Sequence, residues 1–442
     1  MSSDDPVERL ARRIESREAI VGIVGLGYVG LPLALTFTEA GFRVIGFDTD
    51  ALKVDVLAAG RSYIGHVNGE RLRQAARQGR FETTIDARRL AEPDVILICV
   101  PTPLTDQREP DLSFVEAISL ALGEVLRPGQ LVVLESTTYP GTTEDLVLPA
   151  LRRSGLVSGE DFFLAHSPER ENPGDTVHST RTVPKVVGGV DQVSGDLAEA
   201  LYAQVVTRVV RVSSAASAEA AKITENVFRA VNVALVNELK VIYDRMGIDV
   251  WEVIDAAATK PFGFMRFTPG PGWGGHCIPV DPFYLSWKAR QHGVAARFVE
   301  LAGRINSEMP GWVLSKLAQA LVARGKSVPG SRILLLGMAY KPDVDDPRES
   351  PAFELLHQLM RENATVGYHD PHIPVAPSMR SWPDLPRLRS LPLGRETLAA
   401  QDAVIVVTPH SGIDWSLVAE AASLIIDTRG VYRDSRPNVV KA

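Results

Sequence analysis

The densest concentration of reactive side chains lies in one loop rich in glycine and proline. Residues 269–282 read PGPGWGGHCIPVDP and include His276, Cys277 and Asp281. A cysteine of a hydrophobic core normally lies in a regular element, whereas four glycines and two prolines precede Cys277 and let backbone approach a ligand. The residue types allow a covalent nucleophile, a redox or structural thiol, or a metal site formed by all three side chains. No second ligand group with matching spacing occurs in the sequence, which disfavours the metal site.

A second chemical signature lies near the N-terminus. Gly25, Gly27 and Gly30 form a GxGxxG pattern at the end of the apolar run IVGIVG and before the helical segment LPLALTFTEAG. In this context the first glycine permits a tight turn, the second lets backbone approach a pyrophosphate, and the third lets strand and helix pack closely. Asp48 follows at the usual offset of about 20 residues, where a carboxylate accepts both ribose hydroxyls and repels a 2′-phosphate. The pattern predicts a dinucleotide site for NAD, not NADP.

A cysteine beside a hydride acceptor has a specific chemical use. Oxidation of an alcohol to an aldehyde needs one hydride acceptor and a base. A thiolate can then add to the aldehyde as a thiohemiacetal, loss of a second hydride gives a thioester, and water releases the carboxylate. Together with the dinucleotide site, this favours Cys277 as the nucleophile of a four-electron oxidation that uses two NAD molecules in sequence.

Two further groups of polar residues are candidates for supporting roles. Lys222 and Asn226 lie four residues apart on one helix face, where they could stabilise an alkoxide or hold a water. A solvated helix face, shared with Glu219 and Glu225, is the simpler alternative. In the segment SPERENP (167–173), one of the two carboxylates could act as a general base on water.

Two loops follow apolar runs of strand length. Pro101-Thr102-Pro103 comes after VILICV, and residues 136–141 (STTYPG) come after LVVLE. Loops beyond the carboxyl ends of parallel strands line the ligand crevice of an open sheet, so these residues could border the nicotinamide. Ordinary turn chemistry explains them as well. Cys99 lies inside its apolar run and is expected to be a buried hydrophobic residue.

The elements that position these residues alternate between apolar runs and amphipathic segments. Continuous apolar runs separated by segments of helical length indicate a parallel sheet covered on both faces. The runs before Ser213 are Ala19–Gly25, Arg43–Asp48, Val95–Val100, Leu131–Glu135, Val186–Gly188 and Val205–Val212. A second region begins near Ser331, with runs at Arg332–Gly337, Thr365–His369, Asp402–Val407 and Leu424–Asp427.

Between the two sheet regions, residues 215–255 contain no proline and no strand-like run. Alanine, leucine, valine and asparagine recur there at helical spacing, which predicts a long helix followed by shorter ones to about Met309. Because a largely apolar helix has to bury its surface, we expect it to pack against a partner subunit; packing within its own chain is the alternative. The predicted fold class is α/β, with two Rossmann-like doubly wound domains joined by a long central helix. The predicted domain limits are 1–213, 214–310 and 311–442.

The composition favours a multidomain protein of the cytoplasm. The 442 residues carry 47 Lys and Arg against 54 Asp and Glu, a net charge of −7, which argues against nucleic-acid binding. Hydrophobic residues make up 45% of the chain, enough to bury large cores, yet no apolar run approaches the about 18 residues that cross a bilayer. The N-terminus lacks the apolar stretch of a secretory signal, and two cysteines cannot form a disulfide framework. We expect a cytoplasmic enzyme without nucleic-acid or membrane partners.

Five segments together resemble the UDP-sugar 6-dehydrogenases of the UDP-glucose/GDP-mannose dehydrogenase family. They are GLGYVGLP (25–32), SPERENPG (167–174), AKITENVFRAVNVALVNE (221–238), PGPGWGGHCIPVDPFYL (269–285) and MAYKPDVDDPRESPA (338–352). Within the family, DAAATKPFGF (255–264) followed by GGHCIPVDPFYLSWKAR (274–290) most resembles the UDP-N-acetylglucosamine 6-dehydrogenases, which make UDP-N-acetylglucosaminuronate for bacterial surface polysaccharides. The resemblance implies an N-terminal NAD-binding domain, a central dimerisation region and a C-terminal UDP-sugar-binding domain.

The resemblance also implies roles for individual residues. Cys277 is the expected nucleophile, Asp281 aids proton transfer, and Lys222 and Asn226 contact the reacting oxygen or water. Thr137 positions the water, and Glu169 is the acid or base; where the family pattern SPEFLxEG has a second glutamate this chain has Pro173, so Glu171 is the nearest candidate. The expected cofactor-binding residues are Gly25, Gly27, Tyr28, Val29, Gly30, Asp48, Pro101, Thr102, Thr137 and Arg348. The expected substrate-binding residues are Glu169, Arg170, Lys222, Asn226, Arg266, Gly274 and Lys341.

The family resemblance further implies a homodimer or higher homo-oligomer, in which Arg266 extends to the partner's substrate. The ligand spacing in the sequence leads us to expect no metal. Asp346 and Arg348 would help complete the site from the C-terminal domain. Two other classes of function compete. A two-electron hydroxyacid dehydrogenase shares the nucleotide domain and a Lys-xxx-Asn pair but does not need Cys277 or a second α/β domain. A nucleotide-sensing regulator would keep the fold without turnover. UDP-N-acetylmannosamine, UDP-N-acetylgalactosamine and UDP-glucose stay open as substrates.

Overall fold

The computed structural model describes residues 5–65, 67–105, 107, 109–170, 180–275, 278–379 and 381–442. The chain divides into two compact units, one formed by Met1–Glu225 with Phe283–Val294 and the other by Asn226–Pro282 with Ala295–Ala442. The expected nucleophile Cys277, its neighbour His276 and the second carboxylate Glu171 lie outside the described residues.

Helices and strands are numbered along the chain. The helices are α1 (Pro6–Glu15), α2 (Gly30–Ala40), α3 (Ala51–Ala58), α4 (Gly69–Arg77), α5 (Ser113–Val125), α6 (Leu148–Leu151), α7 (Gln192–Ala203), α8 (Ala215–Arg245), α9 (Val250–Ala257), α10 (Asp281–Gln291), α11 (Arg297–Val322), α12 (Pro351–Arg361), α13 (Arg395–Ala399) and α14 (Trp415–Ala421). The strands are β1 (Ile20–Val24), β2 (Arg43–Phe47), β3 (Phe81–Thr84), β4 (Val95–Ile98), β5 (Leu131–Leu134), β6 (Phe163–His166), β7 (Lys185–Gly189), β8 (Val209–Arg211), β9 (Arg332–Leu336), β10 (Thr365–His369), β11 (Ala403–Val406), β12 (Ile425–Asp427) and β13 (Val439–Lys441).

The sheet of the first unit has the order β3-β2-β1-β4-β5-β6-β7-β8. Its neighbouring strands pair in parallel except β6 and β7, which are antiparallel at Ala165–Gly189 and His166–Gly188. The order reverses between β1 and β4, which are hydrogen-bonded neighbours. In open parallel sheets the ligand crevice lies at such a switch point, beyond the carboxyl ends of the strands.

Apolar runs form the centre of this sheet. β4 and β5 read VILI and LVVL, and every one of these side chains is buried. Such strands arise when helices cover both faces of a parallel sheet, and each fully buried Leu, Ile or Val side chain stabilises the fold by roughly 1.5–3 kcal/mol. The rigid strands therefore fix the positions of the loops that follow them.

The second unit contains a smaller sheet of the same kind, with the order β10-β9-β11-β12-β13 and parallel pairing throughout. Strand β11 is buried throughout and β9 is buried after its exposed first residue, Arg332. The segment that carries Lys341 follows β9. The prediction of an α/β chain with two doubly wound sheets and a long helix is confirmed.

The prediction of a long helix followed by shorter ones is confirmed: α8 ends at Arg245, Gly247 adopts a left-handed φ of 73°, and α9 starts at Val250. One local prediction was wrong. The strand predicted over 205–212 is confined to Val209–Arg211, since Val205 is part of the turn that ends α7.

None of the helices in the described parts of the chain combines the length and apolar character needed to cross a membrane.

Candidate active site

The predicted dinucleotide motif forms a tight turn between β1 and α2. Gly25 has a left-handed φ of 91°, and a Cβ there would lie 2.6 Å from the carbonyl oxygen of Cys99. A Cβ at Gly30 would lie 1.9 Å from the oxygen of Gly25, whereas no atom lies within 4 Å of one at Gly27. The outer glycines are thus required by the fold itself, and the middle one borders open space. Val29, the residue before α2, makes no side-chain hydrogen bond to the first turn of the helix. The backbone N–H groups at this helix N-terminus can therefore bind an anion.

Asp48 lies one residue beyond β2 and faces this turn. Its Oδ2 accepts the Leu26 N–H at 3.0 Å and its Oδ1 accepts the Asp50 N–H at 3.0 Å. Lys53, which the sequence analysis did not single out, places its Nζ 3.6 Å from Oδ2. The carboxylate is therefore fixed beside the glycine turn, where ribose recognition requires it.

The two strand-end loops predicted to border the nicotinamide lie side by side. Thr102 donates its hydroxyl to the carbonyl oxygen of Thr137 at 2.8 Å, and Ser136 donates to the carbonyl oxygen of Val100 at 2.8 Å. Tyr284 of α10 donates to the carbonyl oxygen of Thr102 at 2.7 Å. Both loops are thus held at the carboxyl ends of β4 and β5.

The loop after β5 is also tied to the start of α8 through a buried carboxylate. Glu219 accepts the N–H groups of Gly141 at 2.5 Å and Thr143 at 2.8 Å, and the Thr143 hydroxyl at 2.6 Å. Burial raises the pKa of Glu219 to about 7 despite these donors. His166 lies 4.0 Å away, and burial together with Lys185 lowers its pKa to about 3. The alternative of a solvated helix face is wrong for Glu219.

The predicted acid or base Glu169 follows β6. Its Oε2 lies 3.8 Å from the Nζ of Lys185, the first residue of β7. The same Nζ donates to Oε2 of Glu135 at 2.5 Å, and the Tyr202 hydroxyl donates to Oε1 of Glu135. Sequence reasoning missed Glu135, Lys185 and Tyr202. A charged residue at the edge of an apolar run was a usable signal for two of them, since Glu135 ends LVVLE and Lys185 begins KVVGG.

Arg170, a predicted substrate residue, makes contacts that secure the loop. Its guanidinium donates to the carbonyl oxygen of Pro184 at 2.6 Å and pairs with Glu225 at 2.6 Å.

Two predicted catalytic residues meet in the second unit. Asn226 of α8 donates its Nδ2 to Oδ2 of Asp281 at 2.6 Å, and both side chains are buried. Asp281 begins α10, four residues after Cys277 in the chain. Lys222, one helical turn before Asn226, is half-buried.

The glycine-rich loop that leads to Cys277 is anchored on buried polar groups. Lys240 donates to the carbonyl oxygen of Gly270 at 2.9 Å, and the Gly270 N–H donates to Oδ1 of Asn237 at 2.9 Å. Burial, with the nearby Arg429, lowers the pKa of Lys240 to about 7. The predicted substrate residue Gly274 packs against backbone of the segment after β9, since a Cβ there would lie 2.9 Å from the Glu349 carbonyl oxygen.

The same segment carries three further predicted residues. Asp346 is buried and pairs with the guanidinium of Arg348 at 2.6 Å, and the carbonyl oxygen of Arg348 accepts the Gly275 N–H at 3.1 Å. Lys341 is half-buried, with its Nζ 5.9 Å from the ring centroid of Tyr340.

The predicted partner-contacting residue Arg266 is exposed and pairs with Asp255 of its own chain at 2.6 Å.

Among the described residues, Asp343, His372 and His410 lie close enough to share a metal ion. However, His410 accepts the Asp343 N–H on Nδ1 at 3.0 Å and contacts Oδ2 of Asp370 through Nε2 at 3.0 Å. Both ring nitrogens are thus used within the fold. Asp370 also accepts the N–H groups of Met338 and Ala339. Asp370 and His410 therefore stabilise the segment that leads to Lys341.

Sequence models of one family match three consecutive parts of the chain. The NAD binding domain of the UDP-glucose/GDP-mannose dehydrogenase family matches residues 19–206, its central domain residues 216–308 and its UDP binding domain residues 334–434. The chain belongs to the UDP-glucose/GDP-mannose dehydrogenase family. The predicted family, the NAD cofactor and the assignment as an NAD-dependent UDP-sugar dehydrogenase are confirmed.

Individual members of the family are similar over nearly the whole chain. The UDP-N-acetyl-D-glucosamine 6-dehydrogenase of Pseudomonas aeruginosa is 37% identical over 393 residues, which cover 88% of this chain and 90% of that protein. The NDP-N-acetyl-D-galactosaminuronic acid dehydrogenase of Ralstonia nicotianae is 36% identical over 438 residues, 96% of this chain and 99% of that protein. The solved structure of a UDP-D-ManNAc dehydrogenase from Pyrococcus horikoshii superposes with a TM-score of 0.85 at 30% identity, covering 96% of this chain and 98% of that one.

Proposed function

We propose that the enzyme oxidises the C6 hydroxyl of UDP-N-acetylglucosamine to a carboxylate, giving UDP-N-acetylglucosaminuronate for surface polysaccharide synthesis in the cytoplasm. The observation that carries the reaction is the buried hydrogen bond between Asn226 and Asp281, which fixes an amide against a carboxylate that lies four residues after Cys277 in the chain. The sugar is proposed from the 37% identical relative, whose name specifies that substrate.

The overall reaction converts one CH2OH group, two NAD⁺ and one water into one carboxylate, two NADH and three protons. Bound NAD supplies the hydride acceptor for each of the two oxidations. Between them, the Cys277 thiolate forms a carbon–sulfur bond with the C6 aldehyde. After the second hydride has left, water attacks the resulting thioester, the carbon–sulfur bond breaks, and the thiolate is regenerated.

The other residues bind, orient or move protons. Lys222 and Asn226 stabilise the alkoxide and hold the attacking water, with Thr137 as a further water ligand. Asp281 transfers protons, and Glu169 is the general base toward the water. The glycine turn with Asp48 holds NAD at the switch point of the first sheet, while Lys341 and Arg348 contribute from the C-terminal domain proposed at 311–442.

We infer a homodimer from an apolar stripe on α8. Phe228, Leu235 and Ile242 follow one another at intervals of seven residues and are 48%, 49% and 45% exposed. Side chains at this spacing lie on one face of a helix, and an apolar face left uncovered in a single chain favours association. Arg266 would then serve the partner's substrate.

UDP-N-acetylmannosamine is the second candidate substrate, because the similar Pyrococcus structure is of a UDP-D-ManNAc dehydrogenase. A panel containing UDP-N-acetylglucosamine, UDP-N-acetylmannosamine, UDP-N-acetylgalactosamine and UDP-glucose tests the assignment through NADH formation. We expect the highest kcat/KM for UDP-N-acetylglucosamine. A higher value for another sugar would reassign the substrate, and no NADH with any of them would favour the nucleotide-sensing regulator.

A further inference from the structure

A buried group of charges lies beneath the loop that carries Glu169. We call Glu135, Glu169, Lys185 and Tyr202 the charge cluster. The ammonium of Lys185 lies between two carboxylates, 2.5 Å from Glu135 and 3.8 Å from Glu169, and 5.2 Å from the ring centroid of Tyr202. The side chains of Lys185, Glu135 and Glu169 are 5%, 0% and 12% exposed, so water screens these charges little.

The sheet holds this cluster together. Glu135 follows β5 directly and Lys185 opens β7, while β6, which leads to Glu169, lies between these strands in the sheet. The loop itself is pinned at Ser167, whose N–H donates to Leu134 at 3.0 Å and whose hydroxyl donates to Val186 at 2.8 Å. The position of Lys185 relative to Glu169 is therefore set by rigid strands.

The groups that face Lys185 from the packed elements are Cys99 beyond β4, Glu135 beyond β5, His166 in β6, Glu169 in the following loop and Tyr202 in α7. Burial raises the pKa of the Cys99 thiol and of the Tyr202 hydroxyl, and the low pKa of His166 keeps its ring neutral. Burial alone would lower the pKa of Lys185, but Glu135 and Glu169 reverse this and raise it. One cation is thus shared by two carboxylates.

We propose that Lys185 is a positioning residue that holds the Glu169 carboxylate in place to accept a proton from the water that hydrolyses the thioester. Glu135 fixes the ammonium and competes with Glu169 for its charge. This inference rests on the proposed role of Glu169 as general base.

Two variants should move the pH profile in opposite directions. The double variant Lys185→Met/Glu135→Gln removes the cation beside Glu169 and leaves no unpaired carboxylate at position 135. Ionisation of Glu169 should therefore become harder. In Glu135→Gln, the ammonium faces Glu169 alone, so ionisation becomes easier. We measure the rate constant of carboxylate release from the enzyme thioester by rapid quench with UDP-N-acetylglucosamine and NAD. The acidic limb of the plot of this rate constant against pH should move to higher pH by about one unit or more in the double variant, and to lower pH in Glu135→Gln.

Controls separate this role from a merely structural one. Lys185→Arg keeps the cation and should retain the wild-type limb, and Arg395→Met/Glu420→Gln removes an exposed ion pair and should leave the profile unchanged. A structural role would lower the rate in both cluster variants without displacing the limb. A folded double variant, or a folded Glu135→Gln enzyme, with the wild-type limb overturns the inference. Full carboxylate release by Glu169→Gln would instead overturn the proposed role of Glu169 as general base.

Discussion

At the level of single side chains, the buried carboxylates near the candidate site have identified donors. Asp281 accepts the amide of Asn226, Glu219 accepts two backbone N–H groups, and Glu135 accepts Lys185 and Tyr202. A buried carboxylate without such donors would destabilise the fold by several kcal/mol. Substitutions that keep the hydrogen bond but change the charge therefore separate a chemical role from a structural one.

Asp281→Asn is one such substitution. The variant keeps an oxygen that can accept the Asn226 amide but loses the charge proposed to assist proton transfer. We expect a folded enzyme whose kcat is lower by about 10²-fold or more. Asp281→Ala, which also removes the acceptor, should in addition lower the free energy of unfolding by about 1–3 kcal/mol. Denaturant unfolding and initial NADH rates measure the two effects, and a wild-type kcat in Asp281→Asn would exclude the proposed role.

Glu219 provides a prediction about pH. Its pKa rises from 4.5 to about 7 on folding, mainly through burial. The folded protein therefore binds this proton more tightly than the unfolded chain does, and the resulting stabilisation is lost as the pH rises through about 7. The Glu219→Gln variant has no carboxyl group at this position and so does not lose this stabilisation. The difference in free energy of unfolding, variant minus wild type, should therefore increase by up to about 3 kcal/mol between pH 4 and pH 8. Parallel stability curves for the two proteins would contradict the assignment.

Sequence reasoning at this scale depended on motifs. Asn226 and Asp281 belong to segments that resemble the family, and although 55 residues separate them they form one hydrogen bond. Lys185 and Glu135 belong to no such segment, and only the order of strands brings them together. Pairing of that kind depends on sheet topology, which no local pattern encodes.

At the level of elements, the turn between β1 and α2 could be predicted because its geometry demands glycine locally. Gly25 and Gly30 lie against backbone, whereas Gly27 borders open space. A long helix followed by shorter ones could likewise be predicted, because helical spacing of apolar residues is a local pattern. Gly247, with its left-handed φ of 73°, separates α8 from α9.

The turn yields a contrast between two conservative substitutions. Gly27→Ala should leave the Tm without ligand nearly unchanged and weaken NAD binding by at least about tenfold, because a methyl group would occupy the space through which a phosphate approaches. Gly25→Ala should lower the Tm itself, since the φ is left-handed and the added Cβ would meet the Cys99 carbonyl. Calorimetry and NAD titration measure both. Unimpaired NAD binding by Gly27→Ala would place the cofactor elsewhere.

At the level of the whole molecule, the family models assign NAD binding and UDP binding to different parts of the chain. The apolar stripe on α8 lies outside both of these parts, within residues 216–308, which the central-domain model matches. Its spacing is the observation from which we propose a dimer.

Leu235→Glu should disrupt the proposed dimer by placing a charge in an apolar interface. Light scattering should give twice 48.0 kDa for the wild-type protein and a shift toward 48.0 kDa for the variant. Val322→Glu, at an exposed position of α11 outside the stripe, serves as the control and should keep the wild-type mass. A wild-type monomer, or a Leu235→Glu protein of unchanged mass, would argue against assembly through α8.

We propose that one active site carries an alcohol through to a carboxylate by way of a cysteine adduct. The amount of NADH formed when the enzyme, with excess NAD, exhausts a limiting quantity of UDP-N-acetylglucosamine tests this reaction. Two NADH per sugar, with the uronate as the product in mass spectrometry, is the expected result. One NADH per sugar with the aldehyde as the final product, or two NADH per sugar at an undiminished rate from Cys277→Ala, would contradict it.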